Sequence, residues 1–440
     1  MHILLITHHY EPEIGAPQRR WSALVQRWRD KGHEVTVYCP PPHYPDRASS
    51  QGLRTPANRP LRRQTGRHGE TIIRMPYMLH GYASKARAVD QFLTAGATIA
   101  YIAAMEGPRR LMGRGHFDAV ISTVPGLPSL FAGVAVSKLL NIAHVAEMRD
   151  AWPDVVTGEL LHYVGEIPFK RLLFKKAVFS MVTAGQRSAD AVVTTTPWFS
   201  EKLRARGVSQ VSMMTNGADP HRFGEIPALT AEQVESREPG SLKLQYLGTV
   251  GRSQGLLVLT EALKLLRERA PHLKIKTQIV GAGAHRDLLR REAEAHQLDI
   301  EFIDPVGGEG LREAYEWADV ELVSLRRTQP FRWTIPSKIF EILATRRRIV
   351  ALVEGDAADV VRRSGVGSVV EPENAEALAD ELQRLAENPS ELVVGDSGVE
   401  LLHSTYNYDI MSDKYEALIS SLVRDRQAVR DAASVAGGVA

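Results

Sequence analysis

Short runs of β-branched and apolar residues alternate along the chain with longer stretches in which apolar positions recur every three or four residues. That alternation is the pattern of parallel sheets covered by helices. In the first half the runs predict strands at 2–7, 34–39, 71–75, 118–124, 143–149, 191–196 and 211–215. Helices fall between them, most clearly at 18–31 and 197–206. The second half predicts strands at 243–247, 274–280, 300–303, 320–325, 349–353 and 368–370. The same architecture occurs twice without a sequence repeat, so the fold class is α/β, built from two Rossmann-like doubly wound domains.

The turn-forming run Asn216-Gly217-Ala218-Asp219 marks the boundary between residues 1–218 and 219–401. A helix at about 402–424 is expected to pack back on the first domain. Residues 425–440, first charged and then rich in alanine and glycine, read as a disordered tail. Residues 40–69 carry six prolines and six arginines and predict a long loop without regular structure. A mobile acceptor-binding lid and a solvated insertion both fit it.

Composition narrows the function. At 440 residues the chain suits two domains of ordinary size. With 54 basic against 52 acidic side chains, it has no global charge to draw it to nucleic acid. A single cysteine, Cys39, rules out an internal disulfide framework and a cysteine-rich zinc site, and the expected location is cytoplasmic. The chain opens on a strand-like run rather than a targeting segment, and no uninterrupted apolar stretch is long enough to span a bilayer. Residues 92–105 come nearest, but they include Thr94 and Thr98. A membrane, if involved, would be met peripherally, on the inner face of the plasma membrane.

Candidate chemistry sits at the ends of strands, where open parallel sheets bind ligands. Gly15 lies between the first strand and the first helix, whose N-terminal N–H groups suit an anion. In the second half, Gly248-Thr249-Val250-Gly251-Arg252-Ser253-Gln254-Gly255 places a guanidinium between glycines, suited to holding a phosphate. Lys338, in Pro336-Ser337-Lys338-Ile339-Phe340-Glu341, starts a helix, with Glu341 one turn further on the same face. A cation for phosphate beside a carboxylate for ribose hydroxyls suits a nucleotide-sugar site, while a surface ion pair is the plain alternative. Glu147-Met148-Arg149-Asp150-Ala151-Trp152-Pro153 closes the fifth strand, either as a cleft wall or as a buried structural pair. The segment 168–179 mixes bulky apolar residues with Lys170, Arg171, Lys175 and Lys176. It reads either as an interfacial helix on anionic lipid or as a core helix with a solvated basic edge. No P-loop, zinc-protease motif or Asp-x-Asp triplet is present, so no metal is expected at the site.

With these motifs in order, the sequence resembles the family 4 glycosyltransferases of the GT-B fold. It is most similar to the bacterial surface-polysaccharide branch that includes fucosamine transferases. The resemblance rests on Tyr10 to Arg19, Tyr44-Pro45-Asp46, Arg149 to Pro153, Asn216 to Asp219, Gly248 to Gly255, Val280-Gly281-Ala282-Gly283 and Pro336 to Glu341. It implies a metal-independent retaining transfer, with an acceptor-side first domain and a donor-binding second domain facing a central cleft. It also implies that the leaving diphosphate helps deprotonate the acceptor.

No cofactor is implied; the donor is a nucleoside diphosphate sugar, with a UDP-sugar favoured, and the acceptor is a saccharide, lipid-linked in surface polysaccharide assembly. Gly15 and Gly281 would lie against the donor, Arg252 and Lys338 would neutralise the diphosphate, and Glu341 would hold the ribose. Arg19, Arg149 and Asp150 would face the acceptor, Asp150 also as a catalytic candidate. Three departures stand out. Trp333 occupies the place of the first glutamate of the family's pair, no lysine follows Arg252, and Arg149-Asp150 stands where many members have a histidine. A non-hydrolysing sugar-nucleotide epimerase and a catalytically silent nucleotide-sugar-binding subunit are the competing readings.

Overall fold

The computed structural model describes all residues except Ile14, 44–58, 79–83, Pro125, 155–168, 221–225 and 438–440. Tyr44-Pro45-Asp46 and most of the proline- and arginine-rich loop therefore lie outside the described residues. The chain divides into one unit of Met1–Thr215 with Tyr408–Ala440, and a second of Asn216–Asn407.

The first unit holds one eight-stranded sheet. Its strands are β1 (His2–Ile6), β2 (Glu34–Cys39), β3 (Arg63–Thr65), β4 (Thr71–Arg74), β5 (Ala119–Val124), β6 (Ala143–Met148), β7 (Ala191–Thr194) and β8 (Val211–Met213). Their spatial order is β3-β4-β2-β1-β5-β6-β7-β8. Every pairing is parallel except β3 with β4. Central strands β5 and β6 bury every residue, as a parallel sheet with both faces covered requires. The exception, β3, falls in the segment read from sequence as wholly irregular. Its residues Arg-Gln-Thr carry no apolar signal, because it is a short polar edge strand.

Behind this sheet the helix Ala16–Asp30 packs through Trp21 and Trp28 against Tyr415 of the helix Tyr408–Gly437. That second helix continues through residues 425–437, where the composition suggested a disordered tail. Arg426 pairs with both carboxylate oxygens of Asp190, and the alanines that follow favour helix.

The second unit holds six strands, all parallel: β9 (Ser241–Leu247), β10 (Lys274–Val280), β11 (Ile300–Ile303), β12 (Val320–Ser324), β13 (Arg348–Leu352) and β14 (Gly367–Val370). The order β11-β10-β9-β12-β13-β14 runs outward in both directions from the β9–β12 pair. The order in which successive strands are added reverses between these two, so their carboxyl ends open a crevice suited to a ligand.

Candidate functional site

In the second unit the loops after β9 and β10 touch. Gly281 and Gly283 have φ of +147° and +157°, and a Cβ on Gly281 would lie 1.9 Å from the Gly248 carbonyl oxygen. Glycine is needed there to let two loops meet. Ser324 Oγ donates to the Gln254 carbonyl at 2.6 Å, which ties the β12 end to the same loop.

Arg252 stands in this loop, but not at the start of a long helix as the sequence suggested. Arg252–Gln254 form one 3₁₀ turn, and the helix Leu257–Arg269 begins five residues later. The Gln254 side chain accepts from the Gly251 N–H at 3.1 Å, closing the turn. The Arg252 side chain is exposed and has no hydrogen-bond or ion-pair partner among the described residues.

Lys338 does begin the short helix Lys338–Leu343. Its Nζ is buried, has no hydrogen-bond partner among the described residues, and lies 3.7 Å from the centre of the Tyr246 ring. A Cβ on Gly248 would sit 3.0 Å from that nitrogen, so the ammonium rests against the glycine loop. Burial pushes its pKa down to about 7, against the opposing pull of Glu321 and Glu341. Glu321 lies within β12, where burial pushes its carboxyl well above the usual range. No sequence motif marked it, although a charge inside the run Val320–Ser324 is the signal it leaves. Glu341 is buried and accepts from the Tyr315 hydroxyl at 3.2 Å. Lys338, Glu341, Gly248 and Gly281 are thus gathered at one end of the sheet. Trp333 is buried in the 3₁₀ turn Gln329–Trp333.

In the first unit, Gly15 caps the helix Ala16–Asp30 with extended backbone (φ 176°) and no side-chain cap. The first turn carries no acidic residue, so its N–H groups remain suited to an anion. Arg19 is half-buried in that turn. The neighbouring Arg20 is fully buried and donates from Nε and Nη2 to Glu147 at 3.2 and 3.1 Å, and to the carbonyls of Met214 and Thr215. The Tyr415 hydroxyl donates to the same carboxylate. Glu147 is therefore a structural anchor for the C-terminal helix. Arg149 Nε lies 3.9 Å from Glu147, and burial lowers the guanidinium pKa. Burial raises the Asp150 carboxyl, with Arg149 opposing the shift. Of the buried pairs read from the sequence, Glu147 with Arg149 is present at 3.9 Å, and Glu147 is further paired with Arg20, which the sequence did not mark.

Sequence reasoning missed a histidine cluster at the carboxyl ends of β1 and β2. His9 Nδ1 is 2.9 Å from one Glu13 oxygen and His43 Nδ1 is 3.0 Å from the other. His8 packs edge-on against both rings, and its Nε2 is 3.4 Å from Asp90. Burial alone would raise the Glu13 carboxyl, but hydrogen bonds from His43 and His9 outweigh it and hold the pKa at about 2. Two adjacent histidines directly after a strand were the available signal.

Of the two readings of the segment 168–179, the core helix with a solvated basic edge does not fit the described side chains. In the helix Phe169–Ser188, Leu172, Leu173, Phe174 and Phe179 are exposed while Lys175 is buried. The side chains of Lys170 and Arg171 lie outside the described residues. The helix Ser84–Leu111 exposes Val89, Phe92 and Leu93. An 18-residue window within Ala86–Leu111 reaches a mean hydropathy of 1.2, so by length and composition alone this helix could cross a bilayer, although charged residues interrupt its apolar run, as the sequence reading expected. Its buried Asp90, Thr94, Thr98 and Ile102 pack inside the unit.

Comparison with known proteins places this geometry. Residues 242–388 match the family described as Glycosyl transferases group 1, and residues 15–217 match the Glycosyl transferase 4-like domain. The chain is 25% identical over 393 residues to WcaI of Escherichia coli (strain K12), named as a colanic acid biosynthesis glycosyl transferase, covering 86% of this chain and 90% of that protein. Its fold is similar to that of sucrose-phosphate synthase from Thermosynechococcus elongatus, with a TM-score of 0.72, 19% identity and coverage of 96% and 99%. It is also similar to Anabaena HepE in complex with UDP-glucose, with a TM-score of 0.63, 12% identity and coverage of 96% and 100%. Two Rossmann-like parallel-sheet domains on the pattern of these structures make the fold GT-B.

Proposed function

We infer that this chain, which belongs to the family 4 glycosyltransferases, moves a sugar from a nucleoside diphosphate donor to a lipid-linked saccharide with retention of configuration. The observation that carries the reading is Lys338. A buried ammonium with no hydrogen-bond partner is costly at rest, and it lies against a glycine loop at a sheet's ligand-binding end. A diphosphate is the group that would offset that cost. As the glycosidic bond breaks, charge grows on the departing oxygen, and Lys338 with Arg252 would stabilise it without a metal. Gly281 would leave room for the donor and Glu341 would hold a ribose hydroxyl. A UDP-sugar donor is consistent with HepE, whose fold this chain shares and which binds UDP-glucose.

The lipid-linked acceptor draws support from the exposed apolar side chains of the helices Ser84–Leu111 and Phe169–Ser188, which both belong to the first unit. Paired with exposed Lys176, such a surface suits an anionic bilayer met from the cytoplasmic side. The test incubates purified protein with a panel of nucleoside diphosphate sugars and lipid-linked saccharide extract, and reads the product anomer by NMR. A new glycoside with the donor's configuration is expected. Inverted product refutes retention; a changed sugar without acceptor identifies an epimerase; and binding without turnover identifies a silent subunit.

A further inference from the structure

We propose that His9, Glu13 and His43, in the first unit, form a binding site for one divalent transition-metal ion of the zinc class. One donor atom from each residue lies within 4.8 Å of the others, and Glu13 is buried between the two imidazoles. His9 Nδ1 lies 2.9 Å from one Glu13 oxygen and His43 Nδ1 3.0 Å from the other, so the two imidazoles flank one carboxylate at separations comparable to the roughly 3.3 Å edge between ligands of a zinc-length tetrahedron. Small ring rotations bring both nitrogens onto a common ion. Two imidazoles and one carboxylate select zinc, iron, cobalt or manganese over magnesium and calcium, and leave positions open for water or a ligand group.

The surroundings hold the three residues in place. The His43 N–H donates to Glu13 at 2.8 Å, and His43 packs on Tyr77 with ring centres 4.6 Å apart. Buried Arg74 donates to the Glu11 carbonyl at 2.6 Å and to the Pro40 carbonyl at 3.2 Å, joining the loops that carry the ligands. His8, held near Asp90, closes the inner side of the cluster. Binding would replace the His9 ring contact to Glu13 and the His43 Nδ1 contact to the Pro41 carbonyl at 2.9 Å, and would clamp the loop after β1 to the loop after β2, immediately ahead of Gly15.

The full-length protein, stripped with a chelator and returned to metal-free buffer, is titrated with Co(II) and Zn(II). One equivalent of Co(II) should give a saturable visible absorption band displaced by Zn(II). Zn(II) should raise the melting temperature of the wild type, because the ion binds only the folded chain. His9→Ala, His43→Asn and Glu13→Gln should each weaken binding at least tenfold and lose the thermal shift, while His285→Ala in the second unit retains both. Absence of stoichiometric binding by the wild type overturns the site, whatever the variants do. Equal affinity in folded His9 and His43 variants shows adventitious binding and overturns it too. Neither readout uses glycosyl transfer, so failure here leaves the proposed activity standing.

Discussion

Donor affinity should fall as pH rises above neutrality, because the ammonium that meets the diphosphate is half-neutral in the free protein. The Lys338 pKa drops from 10.5 to about 7 under burial, which corresponds to roughly 5 kcal/mol against carrying the charge. Glu321 from β12, Glu341 from the same helix and the Tyr246 ring from β9 face it, and together they do not restore the ordinary value. A bound diphosphate favours the charged form, so above pH 7 binding must also take up a proton. If the bound pKa lies above 10, the dissociation constant should rise about fiftyfold between pH 7 and 9. A nucleoside diphosphate sugar has no ionisation of its phosphates in that window, and calorimetric titration follows it directly. Lys338→Met should bind weakly with no such slope, and Arg252→Ala should weaken binding equally at each pH. The same shift acts on folding. The unfolded chain holds the proton up to 10.5, so wild-type stability should rise with pH from about 7 to 10. Lys338→Met should therefore be the more stable protein at pH 7, by roughly 2–4 kcal/mol. A flat wild-type affinity from pH 7 to 9, or a slope that survives in Lys338→Met, would refute this account.

Glu147→Ala should destabilise the protein by about 3–5 kcal/mol in urea denaturation, because Arg20 loses its carboxylate in a dry interior; Tyr415→Phe should cost about 1.5–3 kcal/mol. A loss below about 1 kcal/mol for Glu147→Ala would show that water reaches Arg20. Replacing exposed Leu173 and Phe174 by serine should reduce co-sedimentation with anionic vesicles while leaving the fold intact, and unchanged sedimentation would remove this helix from the membrane. Turnover should be the same with and without added magnesium or manganese, and a requirement for either would refute metal-free handling of the diphosphate.

The sheets were legible because parallel strands are rich in β-branched and other apolar residues, and β5, β10 and β12 carry that signal. Strand β3 was not, since an edge strand of three polar residues is held by pairing alone. At the site, Lys338 was marked by a helix-start pattern that acts locally, and Gly281 by the family resemblance. Glu321 gave no such pattern, because its meaning depends on Lys338 meeting it across the fold. The histidine cluster escaped for the same reason, with His43 reaching Glu13 across 30 positions. Glu147 and Arg20 stand 127 positions apart, and only packing shows that they share one task.

Because the first unit is completed by Tyr408–Gly437, its sequence is interrupted by the whole of the second. A ribosome releases Glu147 and Arg20 long before Tyr415 exists, so the nascent first unit must wait with a charged pair and two tryptophans uncovered on one side. The second unit, continuous from Asn216 to Asn407, has all its strands before that point. Order of synthesis therefore need not be order of folding: the later half of the gene can settle first, and the earlier half closes when the last thirty or so residues emerge. A premature stop near residue 407 would spare the inner unit and leave the outer one without its closing helix, exposed to aggregation and proteolysis.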